Sequence, residues 1–569
     1  MHVATTLRRY KGKEYKTRLV RRTFREDGKV KHETIANVTG LPDHVIAGLE
    51  RLLSGVDLVE AGTEFEVERS LGHGNVAAVL GTMRRLGIAN ILCSRPGPER
   101  ARVEAMIAAR ILHPDSKIAT TRWWPDTTLP DALSLGSVTE DDLYAAMDWL
   151  LVRQETIQKK LAANRLSEKG LVLYDLSSSY FEGRTCPLAK LGHSRDDKKH
   201  SLQVEYGLLT DAEGCPVAIE VFEGNTADAK TVMQQVERVR ETFGIREFVL
   251  VGDRGMITKT RIEDIKSMEG VGWITALKAV SIQQLYRKGA FQLSLFDERN
   301  LAVIEHPDYP GERLVVCRNP FLAEERRRKR EELLLATEKY LTAIRVRVQT
   351  GRLKGADKIG LAVGKVINKH KMSKHIHLTI EETDFAFRRK TEVIDAEAAL
   401  DGIYVIRASA HSKLSAEDTV RAYKKLADVE QAFRCIKTTD LEVRPICHRL
   451  ADRVRAHIFL CMLAYHVEWH MRRALAPLLY GEEDLVTARA KRDPVAPAPK
   501  SAETAHKTRR HRDADGNPLN RFGDLLEHLS SLRQDRCRYT SMPGNLTFTK
   551  MTRSTSLQRK AFELLGVHP

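Results

Sequence analysis

The chain has 569 residues, 42% of them hydrophobic, enough for about three or four domains with real cores. Its 92 Lys and Arg against 76 Asp and Glu leave a net charge of +16, which points to a polyanionic partner, nucleic acid first, with an uninvolved basic surface as the competing reading. Eight scattered cysteines without a C-x-x-C pair suit a reducing compartment, and the longest apolar run, residues 456–467, is broken by His457 and His466 and too short for a bilayer, so a soluble, cytoplasmic, nucleoid-associated protein is expected.

Residues 1–74 read as a basic hairpin and helix. Strands over 16–25 and 30–36 flank the turn at Asp27-Gly28, and a helix runs over 41–53. The first 50 residues hold eleven Lys or Arg against six Asp or Glu, which suits either DNA-end binding or a solvated appendage. Residues 75–168 show helical periodicity at 75–86, 98–112, 140–151 and 154–166. At residue 170 the pattern turns to strands, over 171–175, 202–209 and 215–222. A helix over 230–243, a strand over 247–251, a helix over 258–268 and a strand over 272–277 follow. Three meander strands, then helix, strand, helix and strand, is the order of a ribonuclease-H-like core. Residues 169–278 are its first part, and the fold class is α/β.

Residues 279–401 interrupt that core as a β-rich/α insertion. It holds short strands to residue 318, a charged helix over 322–349, a second helix over 355–371 and a strand over 375–389. The run Arg326-Arg-Arg-Lys-Arg330 is either a solvated helix face or a phosphate contact. The core resumes over 402–480 with a strand at 402–407, one helix over 415–437 and another over 451–475. Residues 481–520, with Pro494-Val-Ala-Pro-Ala-Pro-Lys500, read as a basic flexible linker. A C-terminal region, 521–569, adds a helix, a strand and a short terminal helix.

Three carboxylates stand out by context. Asp175 ends the first core strand, Asp253 follows the fourth, and Glu430 lies on the helix after the insertion. Two strand ends in one sheet with a helix packed over them bring three carboxylates together, and such a cluster needs cations. Oxygen ligands suit Mg²⁺, and two such ions serve phosphodiester cleavage, with Mn²⁺ able to substitute. His370, His375 and His377 lack partnering cysteines and make no convincing zinc site. No Walker motif is present, so ATP hydrolysis gains no support.

The same residues carry a family resemblance. Tyr174-Asp-Leu-Ser, Gly192-His-Ser-Arg-Asp-Asp-Lys-Lys, Gly224-Asn-Thr-Ala-Asp, Val251-Gly-Asp-Arg-Gly-Met256 and the spacing Tyr423-x2-Leu426-x3-Glu430-x6-Lys437 resemble the DDE transposases of bacterial insertion sequences. The last resembles the Tyr-x2-Arg-x3-Glu-x6-Lys signature of one branch, whose core carries a β-rich insertion. The resemblance covers residues 170–475 and implies metal-dependent cleavage at element ends, then strand transfer into target DNA. It implies Asp175, Asp253 and Glu430 as metal ligands and catalytic residues, and Tyr423 and Lys437 as DNA contacts, with Arg254 and Arg434 as further ones. Leu426 stands where the signature has Arg, so one phosphate contact is lost or supplied elsewhere. The implied partners are the terminal inverted repeats, target DNA and a second copy of the chain on DNA; a hairpin intermediate, seen in related transposases, stays open. Two rivals share the fold: a nuclease without strand transfer and a DNA-binding relative without catalysis. Tyr423 as core packing and Trp273 as core rather than base-stacking residue are the local alternatives, and Ser177 to Ser179 read as capping or turn residues.

Overall fold

The structure is a computed structural model describing residues 1–56, 65–196, 198, 200–292, 296, 297, 299–496, 500–540 and 546–569. It divides into two compact units, Met1–Leu71 with Arg533–Arg553, and Gly72–Leu532 with Ser554–Pro569. Among the described residues no helix is long and apolar enough to cross a membrane.

In the first unit, strands His2–Tyr10, Lys13–Glu26 and Lys29–Asn37 form one antiparallel sheet, and helix Asp43–Leu53 follows, its Asp43 paired with Arg18. The expected hairpin over 16–36 is therefore preceded by a third strand. A second sheet joins Phe65–Gly72 to Arg533–Tyr539 and Thr547–Met551. The C-terminal region expected over 521–569 is thus split. Its strands complete the first unit, whereas helices Phe522–Ser530 and Ser556–Leu565 bury Leu525, Leu529, Ala561 and Leu565 in the second. Parts of the N- and C-terminal expectations, residues 57–64 and 541–545, lie outside the described residues.

The second unit is built on one eight-stranded mixed sheet. Its order is Leu301–Ile304, Glu312–Arg318, Ile403–Ser409, Val271–Ala276, Phe248–Val251, Gly170–Tyr180, Gln203–Thr210, Pro216–Glu223. Phe248–Val251 runs parallel to both of its neighbours, and the remaining pairs are antiparallel. Central strands read as continuous apolar runs because both faces are covered. On one face, helices Asp228–Glu237 and Lys259–Lys266 pack Val232, Val236, Ile262 and Ile265 against Val172, Tyr174, Leu250 and Trp273. On the other, Leu173, Leu208, Ile219 and Val251 share a core with helix Ala451–Ala474 and with helical residues from Val76 to Leu161. The helices expected over 75–168 as a separate domain share this core with the sheet.

Three expectations between residues 279 and 520 are corrected. First, the insertion does not begin at residue 279. Strands Leu301–Ile304 and Glu312–Arg318 belong to the main sheet, because Ile403–Ser409 pairs with Glu312–Arg318 on one side and with Val271–Ala276 on the other. What projects is chiefly helical rather than β-rich: Pro320–Gln349, Ala356–His370 and Thr391–Ala398 around a hairpin of Ile376–Ile380 and Phe385–Arg389. Second, the helix over 415–437 is broken at Lys425 into Ala416–Lys424 and Leu426–Arg434, followed by a π turn, Cys435–Thr439. Third, the 481–520 linker is structured. Helices Leu485–Lys491 and Ala502–Arg510 are capped by Asp484 and Ser501, and buried Lys507 donates to Ala476 O (2.9 Å) and Glu483 (2.9 Å). Alternating Pro and Ala concealed these helices; residues 497–499 of that stretch lie outside the described residues.

Candidate active site

Asp175 lies within strand Gly170–Tyr180 rather than at its end. It is nonetheless at an edge of pairing, because the parallel neighbour Phe248–Val251 is in register only with residues 170–173. Asp253 lies just beyond that neighbour's last residue, Val251. Helix Leu426–Arg434 buries Val429, Ala432 and Phe433 and leaves Glu430 exposed. These three carboxylates line one cavity of about 760 Å³, together with Tyr423, Leu426, Arg434 and Lys437. The strand edge, the turn after it and the amphipathic helix are therefore brought together, as the sequence pattern predicted.

The electrostatics separate these carboxylates from two others in the same cavity, Asp196 and Asp228. Asp228 takes Arg195 Nη2 with both oxygens at 2.8 Å. Asp196 pairs with Lys437 at 2.5 Å and also with Arg444. Asp175, Asp253 and Glu430 have no cationic partner among the described residues. Asp253 accepts from the Tyr423 hydroxyl (3.3 Å) and from Gly255 N (3.3 Å). Burial pushes the Asp175 carboxyl up to about 7; the Leu176 N–H and Arg195 oppose the rise, and the charges of Asp253 and Glu430 add to it. Acidic groups that lie this near one another with no ion pair among the described residues carry a charge that hard cations are suited to neutralise. Among the described residues, the triples of ligand-type side chains that converge within 4.8 Å are Cys215, His466 and His470, and Cys435, Asp440 and Glu468. The acidic trio is not among them.

The remaining predicted residues fall in different places. Tyr423 is more than packing: its hydroxyl reaches Asp253, and burial together with that carboxylate raises its pKa. Arg434 is exposed at the cavity. Arg254 is exposed but lines a neighbouring cavity with Arg326, Lys329 and Lys371. Lys437 is buried, its ammonium donating to Ser177 Oγ (3.2 Å) and ion-paired with Asp196. Leu426, buried, lies in the cavity wall where the signature has Arg, and the same cavity is lined by Lys424, Arg434 and Arg444. Trp273 is fully buried in the core.

Ser177, Ser178 and Ser179 are strand residues, not caps or turns. Their hydroxyls take Lys437 Nζ, Arg195 N (3.2 Å) and the Tyr206 hydroxyl (2.8 Å). Sequence reasoning passed over Arg195, Asp196, Asp228 and Arg444. The signal available was Arg195-Asp196 in one glycine-led motif, 192–199, and Asp228 at the end of another, 224–228; Arg444 lies in neither. Those glycines allow a close approach: a Cβ on Gly192 would strike Gly224 O, and one on Gly224 would strike Gln203 O. Asp197 and Lys199 of the first motif lie outside the described residues.

Comparison with known proteins adds family relationships. Residues 183–467, half of the chain, match the transposase DDE domain, and residues 3–62 match the N-terminal domain of IS1634 family transposases. Among solved structures, the cryo-EM structure of a piggyBac transposase synaptic complex with hairpin DNA aligns over 80% of this chain and 76% of that one. Identity is 8% and the TM-score 0.31, too low to equate the folds. No curated protein matches.

Proposed function

The chain belongs to the transposase DDE family, a DNA-cleaving and DNA-joining enzyme of an insertion sequence, and from that premise we propose that Asp175, Asp253 and Glu430 are its catalytic, metal-holding carboxylates. The observation that carries the reading is electrostatic. Of five carboxylates in the cavity, these three alone lack a cation among the described residues, and Asp175 is held proton-bound up to about pH 7. DDE transposases use divalent ions; the oxygen-only donor set favours two Mg²⁺, with Mn²⁺ as a substitute. The chemistry such a pair supplies when bound is activation of the attacking oxygen and stabilisation of the leaving one.

The chain's own groups have separate roles in this reading. Tyr423 fixes the orientation of Asp253 through its hydroxyl and stands beside the DNA strand. Arg434 and Arg254, both exposed, attract the phosphates on either side of the cut. The rigid strand Gly170–Tyr180 and the buried face of helix Leu426–Arg434 hold two ligands on elements that do not flex. The strand order around Asp175, with a parallel pair beside an antiparallel meander, supports a ribonuclease-H-like core. The first unit, with the IS1634-type N-terminal domain, binds the terminal inverted repeats, and two copies of the chain act on the paired ends.

The test is an end duplex taken from the DNA flanking the gene, incubated with plasmid target and Mg²⁺. Wild type is expected to nick the end and join its 3′-hydroxyl to plasmid, whereas Asp253→Asn loses both by at least a hundredfold, on the order expected for removing a principal electrostatic group. Equal activity in the variant removes the carboxylate assignment. Cleavage without joining reduces the protein to a nuclease.

A further inference from the structure

The cavity that holds the three carboxylates without an ion pair among the described residues also has a basic wall, and that wall is built around one buried acid. The Asp196 side chain is 2% exposed. Its Oδ1 faces both Lys437 Nζ, at 2.5 Å, and the Arg444 guanidinium; its Oδ2 accepts from Tyr180 N at 3.1 Å. The segment leading to Asp196 is itself fixed. Arg195 N donates to Ser178 Oγ, the Arg195 side chain forks onto Asp228, and Gly192 lies against Gly224 with no room for a side chain. Lys437 reaches this point from the π turn Cys435–Thr439, whose extra residue per turn shifts its direction from that of an unbroken helix.

We propose that Arg444 adds a second phosphodiester donor on the cavity wall beside Lys437, whose DNA contact the family resemblance already implies, with Asp196 as the residue that positions both. The proposal rests on the reading of the cavity as the transposase active site. Two cations share one carboxylate, so among these three residues one positive charge is left over beside the cavity that Lys437 and Arg444 line. Like charges brought that close favour a second anion. Among the groups this enzyme meets, a DNA phosphodiester supplies one charge and two free oxygens, suited to an Arg fork and a Lys point charge. A carboxylate at this depth does not bind the phosphate; it holds the two donors still, so that their orientation costs little when DNA arrives. The arrangement also gives a role to Gly192, Arg195, Asp196, Gly224 and Asp228, which carry the acid and fix the segment that leads to it.

The subsite makes a prediction that a merely structural ion pair does not. Asp196→Asn removes a negative charge near the phosphate but frees its two donors. The variant is expected to bind the end duplex as tightly as wild type or more tightly, yet to cleave it on the order of tenfold to a hundredfold more slowly in single turnover. Asp196→Glu is expected to recover part of that rate. Arg444→Ala, a half-buried position, is expected to lower the slope of log affinity against log salt by about 0.9, one phosphate contact. Binding is measured without divalent ions, so the DNA stays intact, and each variant's thermal midpoint is recorded beside it. An Arg444→Ala slope equal to wild type overturns the proposal, as does an Asp196→Asn variant that folds but loses binding and rate together. If instead the carboxylate assignment is wrong, Asp253→Asn cleaves like wild type while the salt slopes still report on the subsite.

Discussion

Asp175 shows how one residue's environment sets a pH dependence. Its folded pKa is raised from 3.8 to about 7, so between those values the native state binds a proton that the unfolded state has released. The stabilising share of this group is therefore complete below about pH 4 and lost as pH climbs through about 7. In metal-free protein at pH 8, Asp175→Asn is expected to raise the thermal midpoint, by a free energy of at most about 4 kcal/mol. Added Mg²⁺ is expected to stabilise wild type and not the variant. Glu205 and Glu468, pushed by burial to about 7 and about 8, add their own pH dependence to both proteins, so the difference between them isolates Asp175. Thermal melts with chelator and with Mg²⁺ at pH 5 and pH 8 decide it, and a variant no more stable than wild type at pH 8 refutes it. At this scale the sequence was readable where a residue's meaning lies in its local context. An apolar run into Asp175, a Gly-Asp-Arg-Gly turn and the spacing around Glu430 sufficed to bring three residues to one cavity. Asp196 stood in a motif but its partners were not readable, and Arg444 gave no signal, because their meaning is a contact between residues far apart in the chain.

Among the elements, helices were more legible than strands. Amphipathic periodicity marks a helix by itself, and Pro320–Gln349 and Ala451–Ala474 lie close to where it put them. A strand is defined by its neighbour. Leu301–Ile304 and Glu312–Arg318 looked like insertion because the strand that ties them to the sheet, Ile403–Ser409, arrives only after the helical body has intervened. The break at Lys425 and the π turn at Cys435–Thr439 left no pattern, since both faces of that segment keep the apolar spacing of one helix. The projecting helical body has its own core of Leu334, Leu341, Ile344, Val348, Ile359, Val363 and Phe385. Because that core is a cluster apart from the sheet's, its loss should be local. Leu341→Ala is expected to cost about 2–5 kcal/mol within this body. It should speed amide hydrogen exchange over Pro320–Arg389 and leave the protection of Gly170–Tyr180 unchanged. Equal loss of protection in both regions shows instead that the body and the sheet unfold as one.

For the whole molecule, the net charge of +16 is the property that matters most, and part of it lies in a place that packing does not explain. The sheet of His2–Tyr10, Lys13–Glu26 and Lys29–Asn37 is exposed over nearly its full length, with Leu7, Tyr10, Tyr15, Phe24, Val30 and Ile35 all open to solvent. A sheet wet on both faces gains little from burial, so its sequence is free to serve a partner. It carries Arg8, Arg22 and Arg25 at exposed positions amid those aromatic and aliphatic side chains, the mixture that suits phosphate contact with apolar contact to bases or sugars. Replacing Arg8, Arg22 and Arg25 together by Gln should therefore leave the thermal midpoint within about 1 kcal/mol of wild type, as for surface positions in general. End binding should weaken, and its log–log salt slope should fall by about 0.9 for each phosphate contact removed, nearly 3 if all three contact phosphates. The second unit contains the cavity and keeps its chemistry, so single-turnover cleavage at saturating protein and low salt should stay within a few-fold of wild type. A variant with the wild-type slope shows that the sheet's charge is only solvated surface; one that binds normally but cleaves slowly assigns the sheet to catalysis rather than to holding DNA.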